Sequence, residues 1–416
     1  MEKNENIVTN ANKSGYEKRN VPTLRFKTFA APWEQKTFDE IFWMLTNNTL
    51  SRAELNYNGG VCKNVHYGDV LIRFPAHIDI SSSDVPYIND QSFSLKLNCS
   101  LLQSGDIVIA DTAEDLTVGK ATEIENKKNM KVSAGLHTIP CRPKIKFSPR
   151  YLGYYINSPA YHDQLIPFIQ GIKVSSISKT LIRKTFISFP SIFEQSKIAT
   201  FLSCLDKKIE VQNKIIEDLK ILKKELCNKV FSKGSFVRLG VLIEEVTTRN
   251  KFNAYDNVLS VSNKMGFIKQ SEQFEDRTVA SENKSNYKIV TEGCFAYNPA
   301  RINVGSIALL STYKIGIISP MYVCFKTKSS LDSEYLNFYF QSNVFYKELQ
   351  QKLEGSVRQC LTYENMCEIR IPYVSIEEEK EIATVLKKFV TMIATEEKYL
   401  KVLQKQKSYF LNAMFI

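Results

Sequence analysis

Two stretches of the chain place apolar residues in alternating steps of four and three, the spacing of a helix with one apolar seam. Counted from Ile198, the first stretch selects Leu202, Leu205, Ile209, Gln212, Ile216, Leu219, Lys223, Leu226 and Val230. The second stretch, 184 residues further on, selects Leu386, Phe389, Ile393, Glu396, Leu400, Leu403, Lys407, Phe410 and Met414. The pattern predicts two long amphipathic helices, over residues 191–232 and 375–416.

The two predicted helices share their polar interruptions as well as their apolar positions. Gln212 falls on Glu396, and Lys223 falls on Lys407, at the same offset of 184 residues. Isolated polar residues in a seam fix register and partner at some cost in stability. We therefore expect the helices to pair with each other as an antiparallel coiled coil, spanning about 55 Å at 1.5 Å per residue. The alternative is two unrelated amphipathic helices, each lining the core of its own domain.

The repeat continues upstream of both helices in fainter form. Matches at the same or nearly the same offset are Tyr151–Leu152 with Tyr335–Leu336, Gly171 with Gly355, Val118–Gly119 with Val304–Gly305, and Gly105 with Gly293. The segments between them carry short runs rich in Val, Ile, Phe and Tyr, broken by Gly, Pro and Asn, which is typical of strands. The predicted fold is α+β: mixed α/β globules over residues 21–190 and 233–374, related by approximate twofold symmetry and separated by the helix pair. Residues 1–20 are predicted to be a disordered polar leader.

The charge balance favours a polyanionic partner. The chain has 55 Lys+Arg against 44 Asp+Glu, a formal net charge of +11. Lysine and arginine set against phosphates release condensed counterions, which drives binding to nucleic acid. Because there is no low-complexity basic tail, any such contact must come from folded surfaces.

Metal and membrane chemistry are not indicated. The nine cysteines are scattered and never form a CxxC pair, and the four histidines do not cluster. This pattern is typical of small buried thiols in a reducing compartment, so we expect no metal. No apolar run approaches the roughly 18 residues needed to cross a bilayer, and the N-terminus lacks a secretory signal. We expect a protein of the bacterial cytoplasm without a membrane partner.

Local sequences along nearly the whole chain carry a family resemblance. The most specific is Phe295–Ser306, supported by Val21–Phe26 with Trp33–Glu34, Val258–Ile268, Ser285–Ile289 and Gly355–Arg358; fainter matches in the first globule are Leu50–Leu55, His66–Asp69 and Gly135–Thr138. With the two helical blocks, these segments resemble the specificity subunit of type I restriction-modification systems. The polar leader before Val21 is longer than that resemblance leads one to expect.

The resemblance implies a division of labour. Each globule would be a target-recognition domain that reads one half of a split, asymmetric site in double-stranded DNA, and the helix pair would set the gap between the halves. Two modification subunits would bind S-adenosylmethionine and methylate adenine. Restriction subunits would supply ATP-driven translocation and Mg-dependent cleavage. This chain would itself hold no cofactor and would direct the chemistry of its partners.

Arg, Lys, Asn, Gln and Ser are the side chains expected at base edges and phosphates. In the second globule the candidate DNA-binding residues are Asn298, Arg301 and Asn303, beside Ser262, Asn263 and Lys264. In the first globule they are Lys63, His66, Arg73 and Lys120. Lys173 and Arg358, just after the matched glycines, suit phosphate contacts. The alternative for each residue is a solvated surface position.

No complete catalytic motif is visible, so no catalytic residue is predicted. Asn298–Pro299 lacks the second proline and the aromatic residue of the adenine-holding motif of methyltransferases. Glu125–Lys127 and Glu282–Lys284 have the Glu-x-Lys half of a nuclease motif, but the chain contains no Pro-Asp. Gly119–Lys120 lacks the earlier glycine of a phosphate-binding loop. The rival hypotheses are a cryptic DNA methyltransferase or nuclease, and a coiled-coil scaffold that reads no sequence.

Overall fold

The structure is a computed structural model that describes residues 21–81, 84–90, 92, 98–171, 173–263, 265–273, 283–355 and 359–416. The chain forms two compact units. The first ends at Val211 and includes Leu400–Ile416, and the second is Gln212–Tyr399. The predicted leader, residues 1–20, lies outside the described residues, as do Lys264 and Arg358.

Short strands and helices precede one long helix in the first unit. The strands are β1 (Glu34–Thr37), β2 (Phe42–Met44), β3 (Leu55–Asn56), β4 (Lys63–Val65), β5 (His77–Asp79), β6 (Tyr87–Ile88), β7 (Ile107–Ala110), β8 (Thr112–Ala113), β9 (Ala121–Glu125), β10 (Val132–Ala134), β11 (Thr138–Pro143), β12 (Ser175–Ser176) and β13 (Phe186–Phe189). The helices are α1 (Phe38–Ile41), α2 (Tyr67–Ile72), α3 (Tyr151–Ile156), α4 (Pro159–Leu165), α5 (Lys179–Ile182) and the long α6 (Ile192–Phe231), which continues into the second unit.

Strand β7 contributes side chains to two hydrophobic cores of the first unit. It lies inside a sheet of order β2-β11-β7-β9-β5, and a second sheet has the order β10-β4-β6-β3. Successive side chains of a strand point to opposite faces, and all four residues of β7 are buried. Ile107 and Ile109 therefore pack into one core, whereas Val108 and Ala110 pack into another. An unbroken apolar run is what a strand covered on both faces requires.

The second unit repeats this plan. Its strands are β14 (Ser235–Arg238), β15 (Ile243–Glu245), β16 (Val258–Ser262), β17 (Gly266–Lys269), β18 (Lys288–Thr291), β19 (Cys294–Tyr297), β20 (Ile307–Leu309), β21 (Ile315–Ile318), β22 (Val323–Thr327) and β23 (Arg370–Tyr373). Its helices are α7 (Gln270–Gln273), α8 (Ser333–Tyr339), α9 (Asn343–Lys352), α10 (Tyr363–Glu368) and the long α11 (Ile376–Ala413), whose last residues belong to the first unit.

The two units share a sheet topology. The order β15-β22-β19-β20 in the second unit corresponds to β2-β11-β7-β9 in the first. Strand β19 corresponds to β7 and likewise feeds two cores, with Phe295 and Tyr297 in one and Cys294 and Ala296 in the other. Parallel pairing of β16 with β21 matches that of β4 with β10. The predicted fold class, two mixed α/β globules with two long helices, is confirmed.

The heptad positions of both long helices are withdrawn from solvent. Every one of them, from Leu202 to Val230 and from Leu386 to Met414, is buried or half-buried. In the first unit the rings of Phe201 and Phe410 lie 4.8 Å apart. Further along α6 in the same unit, Asp206 forms an ion pair of 2.5 Å with Lys407. Residue numbers rise along one segment as they fall along the other, so the paired segments run antiparallel.

The polar seam residues of the second unit bond to each other. Gln212 Nε2 donates to Glu396 Oε2 at 2.5 Å and to the Glu396 carbonyl oxygen at 3.2 Å. The two residues are 184 positions apart, the offset of the internal repeat. A polar residue in an apolar seam destabilises the helix pair least when a hydrogen-bonding partner lies opposite it. The bond between Gln212 and Glu396 therefore favours this alignment of the helices over shifted ones.

The end of each long helix enters an equivalent aromatic cluster. In the first unit Phe415 lies 5.8 Å, between ring centroids, from both Tyr151 and Tyr155. In the second unit Phe231 lies 5.0 Å from Tyr335 and 5.5 Å from Tyr339. All these phenylalanine and tyrosine side chains are essentially fully buried except Phe415, which is 3% exposed. The repeat thus extends to individual packing contacts.

Candidate nucleic-acid interface

A polar cavity of about 570 Å³ lies on the second unit. Strand β16 sends Leu259 and Val261 into the core, which leaves Ser260 and Ser262 to the opposite face. The residues that line the cavity are Val258, Leu259, Ser260, Val261, Ser262, Asn263, Gln270, Tyr287, Asn298, Arg301, Ser306, Ser319, Met321 and Tyr322. Four of the predicted DNA-binding residues, Ser262, Asn263, Asn298 and Arg301, are therefore brought together here.

The loop after β19 holds Asn298 and Arg301 in place through its own backbone. Asn298 Oδ1 accepts a hydrogen bond of 3.1 Å from Ala300 N, and the Asn298 N–H donates to Ser306 O at 3.1 Å. The Arg301 carbonyl accepts from Ser306 N at 3.1 Å. The turn closes at Gly305, whose φ of 91° lies in the region that favours glycine. Arg301 itself is exposed, so a hydrogen-bonded loop presents a cationic side chain to the surface.

The chemistry of this cavity suits recognition better than catalysis. Among the described residues that line it, Arg301 is the one charged side chain, and the remaining polar groups are amides and hydroxyls. Ser260 Oγ and Tyr322 Oη lie 3.2 Å apart, within hydrogen-bond distance. A nucleophile would need a paired base, and a hydrolase would need acid and base groups. Donors and acceptors around one arginine are instead what base edges require.

Two predicted residues of the same globule do not join the cavity. Asn303 is half-buried in the short turn Ile302–Val304 and does not line it. Lys264 lies outside the described residues, so its predicted role is not placed.

Two of the lysines predicted for the first globule have internal partners. Lys63 is 5% exposed, and its Nζ donates to Ile80 O at 2.8 Å and lies 5.1 Å from the Tyr87 ring. Lys120 Nζ donates to Leu71 O at 2.7 Å. Burial lowers the pKa of both ammonium groups. These positions give the two lysines a role inside the unit and disfavour them as DNA ligands.

His66 and Arg73 belong to a network around helix α2. His66 caps the helix, with Nδ1 accepting from Gly68 N at 3.2 Å, and burial lowers its pKa. Arg73 pairs with the fully buried Asp69 at 3.2 Å and with Asp84 at 2.7 Å. Arg52 also binds Asp69, at 2.5 Å. The carboxylate of Asp69 thus engages both arginines, and DNA contact by Arg73 stays a prediction.

The topological counterpart of the Asn298 loop in the first unit was not among the predicted residues. Strand β7 ends at Ala110, so Asp111 and Thr112 follow it as Asn298 follows β19. Thr112 Oγ1 donates to Asp111 Oδ1 at 2.8 Å and lies 3.3 Å from His137 Nδ1. The His137 side chain is 46% exposed, and the backbone at His137 has a positive φ of 55°. Asp111, Thr112 and His137 are named here the β7 group.

The sequence contained an indication of this group. The matched glycines Gly105 and Gly293 precede the two strands at an offset of 188. The same offset aligns Ala110 with Asn298 and so places Asp111 next to that position. Aspartate was not among the residue types expected at base edges, which were Arg, Lys, Asn, Gln and Ser.

Lys173 lies in a loop next to the β7 group. The loop returns to strand β12, whose Ser175 and Ser176 pair with Ala113 and Thr112. Gly171 opens it with a φ of 105°, and a Cβ there would meet Val174 O at 2.0 Å. Lys173 is exposed, as a phosphate contact requires. Arg358, the matching prediction in the second unit, lies outside the described residues.

Within the described part of the chain, no group of three or more His, Cys, Asp or Glu side chains is arranged to hold a metal ion. No helix among the same residues is both long and apolar enough to cross a membrane.

A chain with two units of one topology, each presenting hydrogen-bonding groups after the same strand, has the architecture of a two-part recognition subunit. The family model described as "Type I restriction modification DNA specificity domain" matches residues 31–220 and 244–405. The chain belongs to this family, and it is a non-catalytic DNA sequence-specificity subunit.

Two specificity subunits are similar in sequence to this chain over most of its length. The chain is 26% identical over 426 residues to the putative type I restriction enzyme MjaX specificity subunit of Methanocaldococcus jannaschii, covering 96% of each chain. It is 25% identical over 276 residues to the type I restriction enzyme MjaVIII specificity subunit of the same organism, covering 59% of this chain and 64% of that one.

Solved structures show the same fold. The S subunit of a type I restriction-modification system from M. genitalium superposes with a TM-score of 0.54 at 13% identity, covering 95% of this chain and 99% of that one. A chain from a study of complex assembly and conformational transition of the type I R-M system gives 0.56 at 14% identity, covering 92% and 98%.

Proposed function

We propose that each unit reads one half of a split, asymmetric DNA site, and that partner subunits then methylate adenine or cleave. The observation that carries the proposal is the repeated placement of hydrogen-bonding residues after equivalent strands, at Asn298–Arg301 in the second unit and at Asp111–Thr112 in the first. A scaffold that reads no sequence would have no use for two such sites.

The two sites differ in chemistry, which is consistent with an asymmetric target. In the second unit Arg301 can donate two hydrogen bonds to guanine, and the exposed Asn263 amide can pair with adenine. In the first unit Asp111 can accept from cytosine N4, and Thr112 can act as donor or acceptor. Lys173 and Arg358 would contact phosphates, which position the protein without carrying sequence information.

The wider complex follows the family pattern. Two modification subunits would bind S-adenosylmethionine, and restriction subunits would bind ATP and Mg²⁺, so that this chain holds no cofactor in its own right. The two long helices would fix the gap between half-sites at roughly one helical turn, about 10 bp between centres. The assembly would act in the bacterial cytoplasm.

Paired substitutions test the division of the target between the units. Arg301→Ala and His137→Ala each remove an exposed side chain, so both variants should fold. The adenine-methylation motif would be mapped genome-wide for each variant with its modification subunit. Arg301→Ala should relax base preference in one half of the motif only, and His137→Ala in the other half only.

Two results would contradict this division of the target. If both variants change the same half, or if both leave a normal motif, the two units do not read separate halves through these residues. A motif altered in both halves by one substitution would point to a general loss of affinity.

A further inference from the structure

The guanidinium group of Arg52, in the first unit, has one bonded edge and one free edge. Its Nη1 and Nη2 donate to the two carboxylate oxygens of Asp69 at 2.8 and 2.5 Å, and Nη1 also donates to Tyr57 Oη at 3.2 Å. A guanidinium group carries five N–H donors in one plane. The Nε–H and the second Nη2–H lie along the remaining edge, and neither has a hydrogen-bond partner within the described residues.

The bonded edge anchors Arg52 to the interior of the unit. Asp69 is fully buried in helix α2, whereas the Arg52 side chain is 46% exposed. Because the end that bonds Asp69 faces the interior, the exposure of Arg52 lies on the rest of the side chain, which includes the free edge. Paired hydrogen bonds to one carboxylate also fix the orientation of the guanidinium plane. Asp69 pairs with Arg73 as well, at 3.2 Å, so one negative charge is shared by two cations.

Helix α2 connects Arg52 to the β7 group. Tyr67 is the first residue of this helix, and its ring centroid lies 5.3 Å from that of His137. Asp69, which holds Arg52, is two residues further along the same helix, a rise of about 3 Å. Arg52 therefore lies near the residues proposed above to contact DNA, although it was not among the predicted DNA-binding residues.

We propose that Arg52 is a DNA-contacting residue of the first unit, and that its free edge donates two hydrogen bonds to a pair of adjacent acceptor atoms. This inference rests on the proposed DNA-reading role of that unit. Two parts of DNA offer such a pair: guanine, through O6 and N7 in the major groove, and a backbone phosphate. Adenine, cytosine and thymine each present fewer than two acceptors in the major groove.

The first test compares Arg52→Gln with Arg142→Gln in complexes with the modification subunit. Glutamine keeps a donor for Asp69 but lacks the charge and the second donor edge. Arg142, in the same unit, also bonds to a buried aspartate, but its Nε and Nη2, the edge that is free in Arg52, donate to Asp106 at 2.9 and 2.8 Å. Asp106 precedes strand β7, at the opposite end from the β7 group. We expect Arg142→Gln to leave the methylated motif and the DNA affinity unchanged.

The two kinds of acceptor give different results for Arg52→Gln. If the free edge binds guanine, the preference for guanine at one position of the His137-dependent half-site falls about 10- to 100-fold. If it binds a phosphate, the motif is unchanged and affinity for a duplex carrying the motif falls. The slope of log affinity against log salt concentration then becomes shallower by about 0.9. Arg52→Lys keeps the charge without the planar fork, so it should recover that slope in the phosphate case.

A measurement on the parent complex is independent of how the variants fold. Phenylglyoxal reacts with accessible guanidinium groups, and mass spectrometry locates the modified arginines. DNA carrying the motif should protect Arg52 and leave the reaction of Arg142, whose side chain is 26% exposed, unchanged. If Arg52→Gln fails to assemble, this labelling decides.

Three results would overturn the inference. They are an Arg52 that DNA does not protect, an assembled Arg52→Gln complex with the parental motif, affinity and salt dependence, and a change confined to the Arg301-dependent half-site. Protection of Arg52 in a complex that directs no split motif would retain the DNA contact and overturn the proposed function instead.

Discussion

The first turn of helix α11 contains a buried carboxyl group, that of Glu379, whose counterpart in the first unit is the amide of Gln195. Glu379 is fully buried, with Oε2 accepting from Asp332 N at 2.7 Å and Oε1 without a partner within the described residues. At the equivalent position, 184 residues earlier, Gln195 Oε1 accepts from Ser148 N and its Nε2 donates to Pro190 O, both at 2.9 Å. The amide satisfies two neighbours where the carboxylate satisfies one.

Burial raises the pKa of Glu379 from 4.5 to about 7. This pKa lies above that of a glutamate in the unfolded chain. Between pH 4.5 and about pH 7, Glu379 is therefore protonated in the folded protein but ionised in the unfolded chain. Stability contributed by the protonated form is therefore lost as pH rises through this window. At 1.36 kcal/mol per tenfold change, the cost of this one site grows by roughly 2 to 3 kcal/mol between pH 5 and pH 8.5.

Glu379→Gln removes the titration and keeps the size and the Oε acceptor of the side chain. We expect the variant to be more stable than the parent at pH 8.5 by about 2 kcal/mol, with a much smaller gain at pH 5. The assay is urea denaturation at both pH values, followed by circular dichroism, which reports helix in both units. Both tryptophans, Trp33 and Trp43, lie in the first unit, so their fluorescence reports on that unit separately from the helix signal.

The reciprocal change serves as the matched control. Gln195→Glu places a carboxyl group in the first unit and should destabilise that unit more at pH 8.5 than at pH 5, now visible in tryptophan fluorescence. Equal effects of Glu379→Gln at the two pH values would refute the reasoning. So would a loss of stability at pH 8.5.

Three further substitutions test packing. Leu219→Asp puts a charge at a half-buried seam position and should reduce folding or partner assembly, measured by size-exclusion chromatography, without changing the methylated motif; an assembled complex with a new motif would contradict the seam assignment. In the parent protein Arg25 donates two hydrogen bonds of 2.7 Å to the buried Glu194. Arg25→Ala leaves this carboxylate without its cation and should lower the free energy of unfolding, measured by urea denaturation, by about 3 kcal/mol. An unchanged free energy of unfolding would show that the pair contributes nothing. Gly153→Ala drives a Cβ to 2.0 Å from Ala76 O and should lower the melting temperature by several degrees, whereas an unchanged melting temperature would show that helix α3 shifts freely.

The sequence was most informative where periodicity and repetition coincide. A heptad pattern requires only that apolar residues fall on one helix face, and the bonded pair of Gln212 and Glu396 occupies interruptions that the pattern marks directly. The β-strand runs identified both globules for a similar reason, because a strand covered on both faces needs a continuous apolar stretch such as β7.

The surroundings of the individual candidate residues could not be predicted as well. Whether a lysine is exposed depends on sheet order, which local sequence does not encode. Lysines are usually solvated at the surface, but Lys63 and Lys120 each donate a hydrogen bond to a backbone carbonyl of their own unit. Asp111 and His137 come together only through the pairing of β7 with β11. In the second unit Asn298 and Arg301 do lie together, because they occupy one short loop and their proximity is local.

The most direct test of the central claim is a comparison of genome-wide adenine methylation in cells carrying this chain and its modification subunit with cells that lack only this chain. We predict a split, asymmetric methylated motif that disappears when the chain is absent. An unsplit motif, or a motif that persists without the chain, would contradict it.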